Sequence, residues 1–279
     1  MLRIITDSTC SLPPEYLKLH GIRVAPISIQ FGNEAFDEGL NIDRDTFYRK
    51  IEELGIIPTT SQPSPGWFSR YYQEAASEAI PVLVVTITAK HSGTYQSAIL
   101  AKSLVPGADV EVFDSASISL GTGMQILEAV RMAEAGESRS AILRKLEAIR
   151  AGTFMWLTPS TLKYLQMSGR VGKLQGAIAS LLNVNPIIAV KDGTLDAVEN
   201  VRTRAKAILR LVSLAEEAVG RDNPVHLAVF HAMVPAEADD LLARAKSRFN
   251  VKEAITADMA ESLAVHGGPG IIGLAVRLL

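Results

Sequence analysis

Four separated stretches of this sequence carry one kind of chemistry. They are Pro58-Thr59-Thr60-Ser61-Gln62-Pro63-Ser64-Pro65, Ser92-Gly93-Thr94-Tyr95, Ser168-Gly169-Arg170 and His266-Gly267-Gly268-Pro269-Gly270. In each, hydroxyl, imidazole or guanidinium donors stand beside Gly or Pro. Glycine allows turns and close approach that other residues resist, and backbone N–H groups in such turns form concavities that take anions. Brought to one place, the four stretches would enclose an acidic head group, a carboxylate or a phosphate.

Each stretch has two readings. Pro58 and Pro63 fix φ on either side of Thr59, Thr60 and Ser61 and argue against regular structure there. The hydroxyls are then either a hydrogen-bonding wall or an extended lead-in to a helix cap at Ser64. Ser92-Gly93-Thr94 follows a continuous apolar run and opens a helix. The free N–H groups of a helix start attract anions, and an ordinary cap explains the same residues. His266 either donates to a carboxylate or is a structural histidine, with three glycines nearby to let something approach the backbone. Arg170 either complements a helix C-terminus or faces a phosphate, which a guanidinium fork suits better than lysine does. Arg202, Arg204 and Lys206, with Arg170 and Lys173, read as a local basic surface or a solvated helix face.

These residues need elements to hold them. Leu2–Thr6 reads as a buried strand ending in Asp7-Ser8, and Ser11 as the cap of a helix that Gly21 stops. Ile22–Phe31 is strand-like, Asp43 caps Arg44–Leu54, and Ser64-Pro65 launches Gly66–Ala79. Val82–Ile87 has the unbroken apolar character of a strand covered on both faces. A helix to about Leu104, a strand over Val110–Phe113 ending in Asp114-Ser115, and helices over Leu120–Ala135 and Arg139–Arg150 follow. Strands alternating with helices predict an α/β domain over residues 1–152 with a mostly parallel sheet.

Beyond it come a strand over Thr153–Leu157, a helix from Thr158-Pro159, and a helix over Gly172–Leu182. Pro186–Val190 and Leu195–Asn200 flank Asp192-Gly193 as a hairpin. A helix over Thr203–Val219, a strand over Leu227–Phe230, a helix over Ala236–Phe249, and strands over Val251–Thr256 and Ile271–Val276 complete the chain. Residues 153–279 therefore predict a second α/β domain with a mixed sheet.

Composition narrows the function. The chain has 279 residues, 48% of them apolar, so a substantial core is expected. A net charge of −2 argues against a nucleic-acid coat. Cys10 is the single cysteine, which excludes an internal disulfide and a Cys-based metal cluster and fits a reducing compartment. The first residues lack the basic and apolar regions of a secretory signal, and apolar runs fall short of the roughly 20 residues of a membrane span. A cytoplasmic protein is expected. Ser92, His266 and Asp7 or Asp114 raise the possibility of a hydrolytic triad, but no Gly-x-Ser-x-Gly elbow is present. There is no phosphate-binding Gly-x-x-x-x-Gly-Lys-Ser/Thr loop, and Gly121-Thr122-Gly123 does not complete a dinucleotide fingerprint. No spacing of His, Asp or Glu indicates a metal.

Taken in order, a set of motifs resembles the DegV family of bacterial fatty-acid-binding proteins, the acyl-binding subunits of the fatty acid kinase system. It starts with Thr6-Asp7-Ser8, Thr60-Ser61-Gln62-Pro63-Ser64, Ser92-Gly93-Thr94-Tyr95 and Asp114-Ser115. It continues through Leu162-x-Tyr164-Leu165-x-x-Ser168-Gly169-Arg170-Val171, Leu182-Asn183-Val184-Asn185-Pro186-Ile187, Arg202-Thr203-Arg204-x-Lys206-Ala207 and His266-Gly267-Gly268-Pro269-Gly270. The chain departs from the family pattern at Gln166-Met167-Ser168, Asn185 and Gly267, with Arg170 and His266 in register.

The resemblance implies two α/β domains with an apolar tunnel between them and a long-chain fatty acid inside. By motif, Thr60, Ser92, the Gly93 backbone and His266 would bind the carboxyl, with Ser61, Asp7, Ser8, Asp114 and Arg202 as supporting candidates. Arg170 would stand at the opening, facing the phosphate of an acyl-phosphate product or a partner. It further implies a carrier without catalytic residues or cofactor that presents its acid to an ATP-dependent kinase subunit. The product would feed phospholipid synthesis, with at most transient membrane contact. The alternative is a serine/histidine-dependent hydrolase or phosphotransferase using Ser92 and His266.

Overall fold

The computed structural model describes residues 2–170 and 184–279; the helix expected over Gly172–Leu182, and Lys173 within it, lie outside these residues. The first half builds a four-stranded parallel sheet in the order β2-β1-β6-β7, from β1 (Arg3–Asp7), β2 (Arg23–Ala25), β6 (Val82–Thr86) and β7 (Val110–Asp114). Every residue of β6 is buried, as its unbroken apolar run requires. Helices α3 (Pro65–Ser77) and α4 (Thr94–Leu104) cover one face of this sheet, where Phe68, Tyr72, Ala98 and Ala101 pack on Ile5, Val82 and Val84.

The single strand expected over Ile22–Phe31 is two strands in two sheets. Pro26 offers no N–H and stands between β2 and β3 (Ser28–Phe31). A small antiparallel sheet results, in the order β4-β3-β5, with β4 over Glu34–Asp37 and β5 over Thr59–Ser61. Residues 59–61 are therefore a strand, despite Pro58 and Pro63 on either side. Both prolines lie outside the three paired residues, and an edge strand this short tolerates them. The expected cap at Ser11 also falls elsewhere. α1 (Pro14–Leu19) starts after Pro13, while Ser11 is left-handed (φ 55°) and its hydroxyl oxygen accepts from the Ala260 N–H at 3.1 Å. α2 (Arg44–Leu54) follows its expectation: Asp43 accepts from the Thr46 N–H at 2.7 Å, and Gly55 closes the helix at φ 64°.

α5 (Ser119–Glu134) and α6 (Arg139–Gly152) lead into a six-stranded mixed sheet in the order β10-β9-β8-β13-β11-β12. Its strands are β8 (Thr153–Thr158), β9 (Asn185–Lys191), β10 (Thr194–Val201), β11 (Pro224–His231), β12 (Asn250–Asp258) and β13 (Ile272–Leu278). The β9–β10 hairpin turns at Asp192 (φ 50°) and Gly193 (φ 75°), the paired positive angles of a type I′ turn. α8 (Arg204–Val219) sets Ala207, Leu211 and Ala215 against this sheet at four-residue spacing, and α9 (Pro235–Lys246) adds Ala238, Leu241 and Ala245.

One hydrophobic cluster spans both halves. Ile4, Leu83 and Phe113 share it with Met155, Phe230 and Ala275. α5 runs through it, buried along most of its length. A Cβ on Gly123 would stand 2.8 Å from the Cys10 carbonyl oxygen, and one on Gly121 would meet the Met155 side chain, so the two glycines of Gly121-Thr122-Gly123 serve the close packing of α5. No nucleotide need be invoked for them.

Candidate ligand-binding site

The carboxyl ends of β1 and β6 lie side by side where the strand order of the parallel sheet reverses, the usual place for a ligand in such sheets. Asp7 ties the two ends together. Its fully buried carboxylate accepts from the N–H and hydroxyl of Thr9 and, at 2.8 Å, from the N–H of Ile87. Burial pushes its pKa up, against the pull of these hydrogen bonds. Asp114 does a similar job one strand over, accepting from the N–H groups of Ala89 and Ala116 at 3.2 and 2.9 Å. Both carboxylates shape the loops under the site, and neither lines the cavity.

That cavity, together with the open solvent at its mouth, holds about 860 Å³ of empty space. Ile27, Ile87, Ile118, Leu157, Leu195 and Met259 make much of its wall, from both halves of the chain. Leu195 arrives on the β9–β10 hairpin, whose Gly193 carbonyl accepts from the Thr88 hydroxyl at 3.0 Å. Thr60, Ser61, Ser92, Gly93, His266 and Arg170, expected from sequence at one acidic head, all border this one cavity.

Thr60 is paired opposite Ile29 in the small sheet. Its hydroxyl shares a hydrogen bond with His266 Nε2 at 2.8 Å, across 206 residues of sequence. Ser92 Oγ lies 2.8 Å from Thr94 Oγ1 and accepts from the Thr94 N–H at 3.3 Å, while Gly93 caps α4 without a side-chain bond. The Ser92 side chain thus bonds at the start of α4, as the ordinary reading of this stretch expected.

His266 is not in a loop. It occupies the last turn of α10 (Glu261–Gly267), a helix the sequence reading missed. The glycines behind it are approached by the protein's own side chains. A Cβ on Gly268 would meet the Tyr164 ring at 2.5 Å, one on Gly270 would meet Ser160, and one on Gly267 would meet Ile271. Arg204 fixes this segment as well, donating to the Gly270 carbonyl while pairing with Glu237. Arg204 is therefore a buttress of the site and not part of a basic surface; Arg202 is exposed and does not line the cavity.

The electrostatics are unusual for a wall of histidines. Burial, then Arg170, then His91, push the His266 pKa down to about 4, so the imidazole is neutral. Its Nδ1 is shielded from solvent and has no hydrogen-bond partner. His91, which the sequence reading passed over, borders the cavity too; its pKa is lowered by burial and then by Arg170. Arg170 follows Gly169 (φ 67°) at the end of α7 (Lys163–Ser168) and is exposed, donating to the Ser168 carbonyl at 2.7 Å. α7 itself starts later than the Thr158-Pro159 expected.

Sequence reasoning also passed over Glu38 and Ser262. Glu38 is buried at the end of β4, and its carboxylate accepts from the Ser262 N–H at 2.6 Å, the Ser262 hydroxyl at 2.7 Å and the Ser8 hydroxyl. Ser8 in turn accepts from the Ile27 N–H at 2.9 Å, away from the cavity lining. Burial, then Glu261, push the Glu38 pKa up to about 8.

A triad is not assembled. Ser92 is bonded to Thr94, His266 to Thr60, and no carboxylate orients the second nitrogen of His266. Among the described residues, no group of His, Cys, Asp and Glu is placed to hold a metal, and no helix is long and apolar enough to cross a membrane.

Known proteins share this architecture. A DegV family protein of Thermus thermophilus, described by its fatty acid binding, is 33% identical with a TM-score of 0.91, covering 100% of this chain and 99% of that one. A stearic acid-binding protein of Eubacterium ventriosum is 31% identical with a TM-score of 0.92, over 100% and 98%. DegV of Bacillus subtilis, described as a fatty acid binding protein, is 30% identical with a TM-score of 0.92, over 100% and 99%. A DegV domain-containing protein of Deinococcus radiodurans is 32% identical over 279 residues, 100% of this chain and 99% of that one. The family profile that matches, described as an uncharacterised protein family, runs over residues 1–278, and the chain belongs to the DegV family.

Proposed function

We propose that this protein binds a long-chain fatty acid, its tail in the apolar cavity and its carboxyl against Thr60, Ser92, the Gly93 backbone and His266. The observation that carries the reading is the Thr60–His266 pair on the wall of a largely apolar cavity, with a shielded imidazole nitrogen left unpartnered. An unsatisfied polar atom inside a protein is normally answered by water or a ligand. Burial of a tail is sufficient drive: at about 0.8 kcal/mol per methylene, a palmitate-length chain contributes on the order of 10 kcal/mol before ordering costs. The structural relatives described as binding fatty acids support it.

The finer part of the proposal is a carrier of two lobes, residues 1–152 and 153–279, working in the cytoplasm. It makes no bond change itself and presents the acid to an ATP-dependent kinase subunit, with Arg170 at the opening. Solvent extraction and mass spectrometry of the purified protein should recover a long-chain fatty acid in near-stoichiometric, dissociable form. An empty protein that also ignores added palmitate and oleate would sink the reading, and a covalent adduct on Ser92 would replace it with an acyl enzyme.

A further inference from the structure

His91 precedes Ser92 in the loop after β6, its backbone N–H directed to the Thr88 carbonyl at 3.4 Å. Its Nε2 is shielded from solvent and has no partner, as is true of Nδ1 of His266. Both rings border the same cavity, along with Arg170. The charged and titratable groups acting on them come from three elements: His91 from the β6 loop, Arg170 from the end of α7, and His266 from α10. No carboxylate is among them. A ligand offering lone pairs would answer these two unpartnered buried atoms. Three groups that repel one another when charged, with no counterion for them among the described residues, are complementary to an anion.

We propose that His91 is a further ligand of the anionic head group, sharing it with His266, and that the anion draws a proton from solvent onto the imidazole pair as it binds. This rests on the fatty-acid reading above. In the empty site, burial and Arg170 keep both rings neutral. A carboxylate reverses the balance, because an opposite charge within a few ångströms favours the protonated ring. The bound state is then carboxylate and imidazolium, one solvent proton having been taken up and no covalent bond to carbon changed. The site selects for charge at the head: an alcohol with the same tail gains none of this.

The test uses lipid-stripped full-length protein, sodium decanoate and 1-decanol. Calorimetric titrations at pH 6, 7 and 8, in buffers of different ionisation enthalpy, give affinity and proton uptake together. Wild type should bind decanoate more tightly at pH 6 than at pH 8, with net proton uptake. His91→Leu should weaken decanoate about tenfold and reduce the uptake while binding decanol as wild type does. His91→Asn, which keeps a polar side chain, serves if the leucine variant melts early. Equal losses for decanoate and decanol would make His91 structural and overturn the proposal. So would unchanged decanoate affinity and unchanged uptake. Wild-type protein that binds neither compound would remove the fatty-acid reading itself, and this inference with it.

Discussion

At its first turn α10 is gripped by Glu38; at its last turn it offers His266. The first end is saturated. Both Glu38 oxygens are occupied by Ser262 and Ser8, and the Ser8 oxygen also takes the Ile27 N–H. A carboxylate at a helix start also meets the favourable end of the helix dipole. The last end is unsaturated: His266 spends one nitrogen on Thr60 and has none for the other. Both ends are polar, and both depend on residues more than 200 positions away in sequence. The saturated one fixes the helix. The unsaturated one leaves a shielded nitrogen without a partner.

If that contrast is right, the two ends break differently. Glu38→Ala orphans the buried Ser262 N–H and hydroxyl and the half-buried Ser8 hydroxyl, at about 1–3 kcal/mol for each buried group left without a partner. A loss of about 3 kcal/mol or more in denaturant or thermal unfolding is expected, the largest effect of the set. A stability within 1 kcal/mol of wild type would show that the grip is not what holds α10.

The pH dependence sharpens the same end. The folded-state pKa of Glu38 is about 8, above its ordinary 4.5, so the fold favours the protonated acid. Its contribution is fully present below about pH 4.5 and is lost as pH rises towards 8. Wild type should lose on the order of 2–4 kcal/mol relative to Glu38→Gln between pH 5 and 8, because the amide cannot ionise. Parallel stability curves for the two proteins would assign the charge state wrongly.

At the other end, ligand affinity and not stability should move. Removing one hydrogen bond to a charged group costs about 1.5–3 kcal/mol, so Thr60→Val or Ser92→Ala should weaken fatty-acid binding roughly tenfold or more while unfolding is little changed. Unchanged affinity in both variants would take these hydroxyls out of the head site.

How far the sequence revealed this follows the same division. The parallel sheet was legible because β1, β6 and β7 are short apolar runs, each followed by a polar turn. Asp43 and Gly55 marked both ends of α2, and Asp192-Gly193 marked the hairpin. The four polar stretches were legible as residue types, and the structure brings residues of all four to one cavity. What stayed hidden was long-range. β5 exists only because β3 pairs with it, between two prolines that argue locally against a strand. α10 is short, and its glycine-rich end reads as a loop. Glu38 in sequence is one acid beside Asp37, and its burial is decided by Ser8 and Ser262. His91 carried no signal beyond its place before Ser92.

The smallest expected effect concerns Arg170, and it separates the mouth of the cavity from its head. The side chain is exposed and already donates to the Ser168 carbonyl, so a bound carboxylate gains little from it through solvent. Arg170→Ala should therefore keep fatty-acid affinity within about threefold of wild type, since exposed charge pairs are worth about 0–1 kcal/mol. Acyl-phosphate formation with an ATP-dependent partner kinase should fall sharply in the same variant, because a phosphate at the opening presents more charge and more oxygens than a carboxylate. A planar guanidinium fork engages two phosphate oxygens at once, so Arg170→Lys should restore little of that rate. Arg202→Ala, equally exposed but away from the cavity, is the control and should alter neither quantity. Ligand titration beside a kinase-coupled assay decides it: outright loss of the fatty acid in Arg170→Ala would place the guanidinium in the head site with His91 and His266, and normal acyl-phosphate formation would leave it no part in presentation.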